Sequence, residues 1–308
     1  MTQANIKDPV ASVRQRLRNV AGERGEDFGY ILTRYAVQRL VHRLSGSEFR
    51  ERFLLKGATL FAIWSKDPHR PTRDLDLLGF GASDVAAVEQ VFRTLCLLPT
   101  DGTDGLVFDA ESVAGSTIRE DQEYEGVRVT LTARLGNARI ALQVDVGFGD
   151  DVFPVPVEAD MPGLIGFPAA TLRAYPREAV IAEKLHVMAV LGVANSRMKD
   201  YYDLWTLGRL FQFSGATLSE SVTRTFARRR TPLPTQIPFA LTAEFASDAG
   251  KAVQWAAFLR KGGVRDAPGL DDVVAALAGF LWPVLEAAAE GQALGLAWTP
   301  GGPWQQSG

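Results

Sequence analysis

The sequence predicts an α/β (α+β) protein in two lobes, an N-terminal lobe over 1–165 with leading helices and a sheet, and a helical C-terminal lobe over 166–308. Three observations predict it. Apolar and polar residues alternate strictly over 127–135 and 140–146, and the pair Gly136-Asn137 between them marks a two-residue hairpin turn. Apolar residues recur at helical spacing over 27–44, ahead of that hairpin. Beyond the proline-rich stretch 152–163, from about residue 166, the pattern reads almost wholly helical.

Taken in order, Phe28, Ile31, Leu32, Tyr35, Leu40, Val41 and Leu44 form the apolar stripe of the leading helix, and Gly46 supplies its stop. Phe53, Leu54 and Leu55 read as a short buried strand ending at Lys56, with Gly57 opening a helix over 59–64. Leu75, Leu77 and Leu78 predict a strand over 74–80, and Ser83 caps a helix that crosses back over the sheet. In the hairpin, Arg128 falls opposite Asp145, Val129 opposite Val144, Thr130 opposite Gln143 and Leu131 opposite Leu142, so both faces agree. Pro176 opens a helix with Glu178 in its first turn, running through Ile181, Leu185 and Met188 to Gly192. A second helix after Asn195 and Ser196 carries 199–205, and 299–308 reads as a loose tail.

Composition bounds the function. With 46% hydrophobic and 22% charged residues, the chain can bury a substantial core. A net charge of −3 leaves nucleic-acid binding to a local basic patch. Cys96, the single cysteine, lies among apolar neighbours and reads as a small buried side chain in a reducing cytoplasm. The N-terminus lacks the apolar core of a signal peptide, and the longest apolar run, 273–285, is too short to span a bilayer and contains Pro283. It reads as a buried amphipathic helix, with no membrane role.

Asp74 and Asp76 flank Leu75, and Asp74 follows Gly57 by 17 positions. On a strand, the period of two puts both carboxylates on one face and Leu75 on the other. Such a pair repels itself unless a cation neutralises it, and hard oxygen donors select Mg²⁺ or Mn²⁺, which in turn grip nucleotide phosphates. Backbone amides at the helix start after Lys56 can hold phosphate oxygens. Gly57 lets the main chain approach a triphosphate closely, while Lys56 adds a charge and Thr59 a hydroxyl. An Asp-x-Asp by itself is common on solvated turns. Its ordered combination with the Gly57 loop points to metal-dependent nucleotidyl transfer.

Asp145 interrupts the apolar run of its strand just before Gly147. It is either the third carboxylate of the site or a half-exposed strand residue paired with Arg128, and the upstream Asp-x-Asp favours the first. Lys184, three residues after Ile181, runs its stem along the apolar stripe. Its ammonium either reaches a triphosphate in an inter-lobe cleft or snorkels to water. Asp200 and Asp203 share a helix face with the bases Arg197 and Lys199 just upstream, as a functional cluster or a salt-bridged helix start. Arg224, Arg228, Arg229 and Arg230, with Phe226 among them, form a phosphate-contacting patch or a solvated helix end.

These motifs carry a family resemblance. Leu55-Lys-Gly-Ala-Thr-Leu60, Arg73-Asp-Leu-Asp-Leu77, Ala182-Glu-Lys-Leu185 and Arg197-Met-Lys-Asp-Tyr-Tyr-Asp-Leu204, in this order within 50–210, resemble the AbiEii/AbiGii toxin family. These are nucleotidyltransferase-like toxins of type IV toxin–antitoxin and abortive-infection systems, and they include the MenT toxins of mycobacteria. The resemblance implies a DNA polymerase β-type nucleotidyltransferase core with a mixed sheet and a helical C-terminal lobe. It implies transfer of a nucleoside monophosphate from an NTP to an acceptor, which in related toxins is RNA and notably the tRNA 3′ end. It also implies an antitoxin encoded alongside. Where the family has Gly-Gly or Gly-Ser this chain has Gly57-Ala58, and Thr72 stands where the family has Ser before the first Asp.

On this reading Asp74, Asp76 and Asp145 hold Mg²⁺ or Mn²⁺, and Asp145 also serves the attacking hydroxyl. Lys184 neutralises charge on the departing pyrophosphate. Lys56, Gly57, Thr59, Arg73 and Arg197 position the NTP, and Asp200 and Asp203 orient Lys184 or touch the acceptor. The expected protein is a cytoplasmic monomer that blocks translation and growth by modifying tRNA. Two rivals stand beside it: a small-molecule nucleotidyltransferase of the aminoglycoside-modifying sort, and a non-catalytic module of the same fold that binds a partner protein. A glycosyltransferase ranks behind these, because its Asp-x-Asp does not require the Lys-Gly loop.

Overall fold

Aspartates set the start of both leading helices. In the computed structural model, which describes residues 8–65, 70–100, 102–121, 124–264 and 267–306, α1 spans Pro9–Arg24 and α2 spans Phe28–Ser45. The Asp8 carboxylate accepts from the Ala11 amide at 3.0 Å and that of Asp27 from the Tyr30 amide at 2.9 Å, each satisfying one of the amides a helix start leaves unpaired. Residues 1–7, the N-terminal stretch that lacks the apolar core of a signal peptide, lie outside the described residues.

The chain divides into two units, 1–149 with 157–174, and 150–156 with 175–308. After α2 the first unit continues with β1 (Phe53–Lys56), α3 (Phe61–Trp64), β2 (Leu75–Gly79), α4 (Val85–Leu97), β3 (Leu106–Asp121), β4 (Tyr124–Leu135), β5 (Ala138–Phe148), β6 (Val157–Met161) and β7 (Ala170–Ala174). Its strands form a seven-stranded mixed sheet in the order β3-β4-β5-β2-β1-β7-β6. β2 runs parallel to β5 and antiparallel to β1, while β1 runs parallel to β7. Leu54, Leu55, Leu75, Leu77, Leu78 and Val146 are all at most 1% exposed, as expected of central strands covered on both faces. Each such side chain contributes about 1.5–3 kcal/mol by leaving water.

The hairpin has the register the alternation predicts, Arg128↔Asp145, Val129↔Val144, Thr130↔Gln143 and Leu131↔Leu142. A one-residue slip would turn its buried row to the other face. Three local expectations change. Ser83 is not the cap of α4; Asp84 is, accepting from the Ala87 amide at 2.9 Å. The helix expected over 59–64 is a 3-10 turn, Gly57–Leu60, followed by the single α turn α3. The region after 166 is not wholly helical, because β7 adds a strand beside β1, and the boundary read at 165/166 falls inside the first unit.

The second unit comprises α5 (Arg177–Leu191), α6 (Met198–Leu210), β8 (Phe213–Ser214), α7 (Gly215–Arg228), α8 (Ala243–Ser247), α9 (Ala249–Gly262), α10 (Leu270–Ala289), β9 (Leu296–Trp298) and β10 (Trp304–Gln306). α10, with 20 residues, is long and apolar enough to cross a membrane by length and composition. Its residues Val273, Leu277, Phe280, Leu281, Val284 and Leu285 are instead at most 1% exposed within this unit. The expected loose tail is ordered through Gln306. β10 pairs with β9, and the Trp298 and Trp304 rings lie 4.5 and 5.9 Å from the ring of Phe280. Their indole N–H groups donate to the Gly208 and Phe280 carbonyls at 2.7 and 3.0 Å, so the buried Trp298 and the half-buried Trp304 both have their polar ends satisfied.

Candidate functional site

The sheet register gathers the first set of residues. Lys56, the last residue of β1, is the Cα partner of Asp76 on β2, and Asp76 is the Cα partner of Asp145 on β5. Residues in register share a face, so these three form one row across three strands. Asp74 lies exposed one position before β2, and Arg73 beside it is also exposed.

Gly57 turns the chain at the end of this row. Its φ is +71°, and a β-carbon there would fall 1.8 Å from Oδ2 of Asp76. Only glycine leaves the Asp76 carboxylate its place while taking that backbone conformation. Ala58, the departure from the family pattern, falls one residue beyond this contact. Thr59 is 4% exposed, so its hydroxyl sits in the interior of the unit rather than on the outer surface of the turn.

Asp145 is engaged on both oxygens. The Arg128 guanidinium donates through Nε to Oδ1 and through Nη2 to Oδ2, each at 2.8 Å, and Gln143 Nε2 donates to Oδ2 at 3.2 Å. The side chains of Arg128 and Asp145 are 40% and 12% exposed. The hydrogen bond to Asp145 raises the pKa of Arg128 despite some desolvation, and the charges of Asp145, Asp74 and Asp76 add to the effect. The guanidinium therefore feels all three carboxylates. Asp145 is thus in register with Asp76 and paired with Arg128, the second of its two sequence readings.

The donor types fit a hard divalent cation: three carboxylates, two of them register partners and the third two residues away along the chain. Among the described residues no group of three or more His, Cys, Asp or Glu side chains is drawn around one ion-sized point. The Arg128 fork on Asp145 is the visible competitor.

The second set lies within the second unit. Lys184 on α5 places Nζ 2.5 Å from Asp200 Oδ1 and 2.9 Å from Asp203 Oδ2, both on α6, and Arg197 Nε is 2.5 Å from Asp200 Oδ2. Asp200 and Asp203 are 0% exposed and Lys184 is 16% exposed. Lys184 is thus no snorkelling surface lysine, and both carboxylates face its ammonium from the interior of the unit. Burial by itself would raise the pKa of Asp200, but Lys184 and Arg197 outweigh it and hold the group below the ordinary carboxylate range. The loop leading into α6 is tied down by Lys251, whose Nζ donates to the Val193 and Asn195 carbonyls at 2.7 and 2.8 Å.

The arginine patch divides. Arg224 pairs with Glu220 at 2.6 Å, and Arg229 lies 3.3 Å from Nδ1 of His186. Arg228 and Arg230 are exposed. Sequence reasoning missed Gln143 as a partner of Asp145, although the period of two along β5 puts both on one face. It also missed Lys251 and Asn195, which no motif marks and which only tertiary packing brings together.

A family profile described as nucleotidyl transferase AbiEii toxin of type IV toxin–antitoxin systems matches residues 38–276. No curated protein matches the chain. Among solved structures, JHP933 from Helicobacter pylori is similar with a TM-score of 0.45 and 11% identity, over 85% of this chain and 90% of that one. A candidate nucleotidyltransferase from H. pylori gives a TM-score of 0.44 and 12% identity, over 84% and 92%. With its mixed α/β fold and a profile match over most of its length, the chain belongs to the AbiEii family of nucleotidyl transferase toxins of type IV toxin–antitoxin systems.

Proposed function

We propose that the protein transfers a nucleoside monophosphate from an NTP to an RNA acceptor, the tRNA 3′ end in particular, and so arrests translation and growth. The observation that carries this reading is the row Lys56, Asp76 and Asp145 beside the Gly57 turn, in a chain of the AbiEii family. Asp74, Asp76 and Asp145 are the residues that would hold Mg²⁺ or Mn²⁺. Bound there, the ion supplies charge neutralisation for the NTP phosphates.

The remaining chemistry falls to the protein's own groups. Lys56, Arg73 and the backbone of the Gly57 turn hold the nucleotide phosphates, and the buried Thr59 is assigned to packing that turn. Asp145 takes the proton of the attacking hydroxyl, with its orientation set by Gln143. Lys184, oriented by Asp200 and Asp203, offsets charge developing on the departing pyrophosphate. Arg197 holds Asp200, and the exposed Arg228 and Arg230 contact the acceptor's phosphates. The protein acts as a monomer in the cytoplasm, and its family membership implies a cognate antitoxin.

The test is incubation with each α-labelled NTP and total RNA, with purified aminoglycosides as the competing acceptor class. Label enters RNA with wild type and is lost in Asp76→Asn and Lys184→Ala. Label in the antibiotic fraction alone, or undiminished labelling by Asp76→Asn, overturns the assignment.

A further inference from the structure

The Arg128 side chain stands where the reading of the acidic face leaves no role for it. It belongs to β4, opposite Asp145 on β5, and it places one N–H on each carboxylate oxygen at 2.8 Å. A planar fork matched to a carboxylate in this way is the strongest arrangement an arginine can make with a single acid. It also occupies the acid that would complete a three-carboxylate site. Asp74 and Asp76 act on the same guanidinium electrostatically.

We propose that Arg128 is a built-in counter-cation of the acidic face, a positioning residue that competes with a divalent ion for Asp145 and yields to it when the ion and nucleotide bind together. The proposal rests on the reading of Asp74, Asp76 and Asp145 as cation ligands. Asp76 and Asp145, set side by side by strand register, and Asp74 two residues before Asp76 repel one another, and a guanidinium of the same chain lowers that cost without an external ion. The exchange is open to Arg128 because its side chain is 40% exposed, so leaving Asp145 returns the charge to water and strands nothing in the interior. Gln143, 3.2 Å from Oδ2, keeps Asp145 oriented while the arginine departs. The consequence is weak binding of the ion alone and tighter binding when the triphosphate adds negative charge, which ties occupation of the site to the presence of substrate.

The experiment measures Mn²⁺ binding by electron paramagnetic resonance, and thermal unfolding with and without Mn²⁺, on the full chain of wild type, Arg128→Gln, Arg128→Lys and Asp76→Asn. Removing one positive charge a few ångströms from a divalent ion in a partly solvated site tightens Mn²⁺ binding about tenfold. Arg128→Gln therefore binds Mn²⁺ about tenfold more tightly than wild type, melts lower than wild type without the ion, and gains more from it. Arg128→Lys, with the charge kept, returns towards wild-type affinity. A residue of merely structural importance would lower melting equally with and without Mn²⁺ and would leave the affinity alone. Equal or weaker binding by Arg128→Gln, while Asp76→Asn abolishes binding, overturns the role of Arg128 and leaves the metal reading standing. Absence of binding in both wild type and Arg128→Gln overturns both.

Discussion

Gly57 and Asp76 exclude any side chain between them: a β-carbon on Gly57 would lie 1.8 Å from the Asp76 Oδ2 atom, and its φ of +71° already favours glycine. The turn and the carboxylate are therefore one device. Gly57→Ala must either move the turn or push Asp76 out of its row with Lys56 and Asp145. The strained backbone costs about 1–3 kcal/mol on its own, measurable by urea unfolding. NTP-dependent labelling falls by a larger factor than stability explains. An alanine variant of wild-type stability and activity would show that the Asp76 carboxylate is not held where it lies.

Lys184 is the shared partner of two carboxylates at 0% exposure. Lys184→Met leaves Arg197 facing Asp200 and deprives Asp203 of this partner. Breaking a buried pair from one side costs about 3–5 kcal/mol, because a charge stays behind without its partner. The double change Lys184→Met with Asp203→Asn recovers part of that loss in denaturant titration while transfer activity stays absent. A single Lys184→Met within about 1 kcal/mol of wild type would mean that the cluster contributes nothing as an ion-pair network.

His186 gives the stability of the second unit an acid limb. Arg229 has only donors and approaches Nδ1 at 3.3 Å, so Nε2 carries the proton and donates to Thr231 Oγ1 at 2.9 Å. Burial, then the charge of Arg229, lowers the pKa to about 4 from an ordinary 6.5. The unfolded chain therefore binds a proton at a higher pH than the folded one. This contribution is fully present above pH 6.5 and is lost progressively as pH falls towards 4. His186→Gln removes that slope. Stability curves of wild type and variant that run parallel between those limits would contradict it.

Much of the fold was legible in the residues because the forces that set it are local. Alternation over 127–135 and 140–146 together with the Gly136-Asn137 turn gave the hairpin register, which the structure repeats pair for pair. The Pro176 start of α5 follows from a fixed proline φ. The tail misread for the same reason. The prolines and glycines of 299–308 hide one indole, Trp304, which with Trp298 just before the segment packs on Phe280, a residue distant in sequence. β7 was missed because a five-residue strand beside β1 carries little periodicity of its own.

By itself, the sequence determined the family, the mixed α/β class, the hairpin with its Arg128↔Asp145 register, and the residue types able to hold a nucleotide and a hard cation. The tertiary structure decided which of these meet. Parallel pairing of β2 with β5 sets Asp76 against Asp145, the Arg128 fork claims both Asp145 oxygens, and the packing of α5 on α6 converts Lys184 from a surface lysine into the hub of a buried ion cluster. The reason is one of range. Periodicity and capping act between neighbours along the chain, whereas these contacts join residues whose approach depends on how whole strands and helices pack.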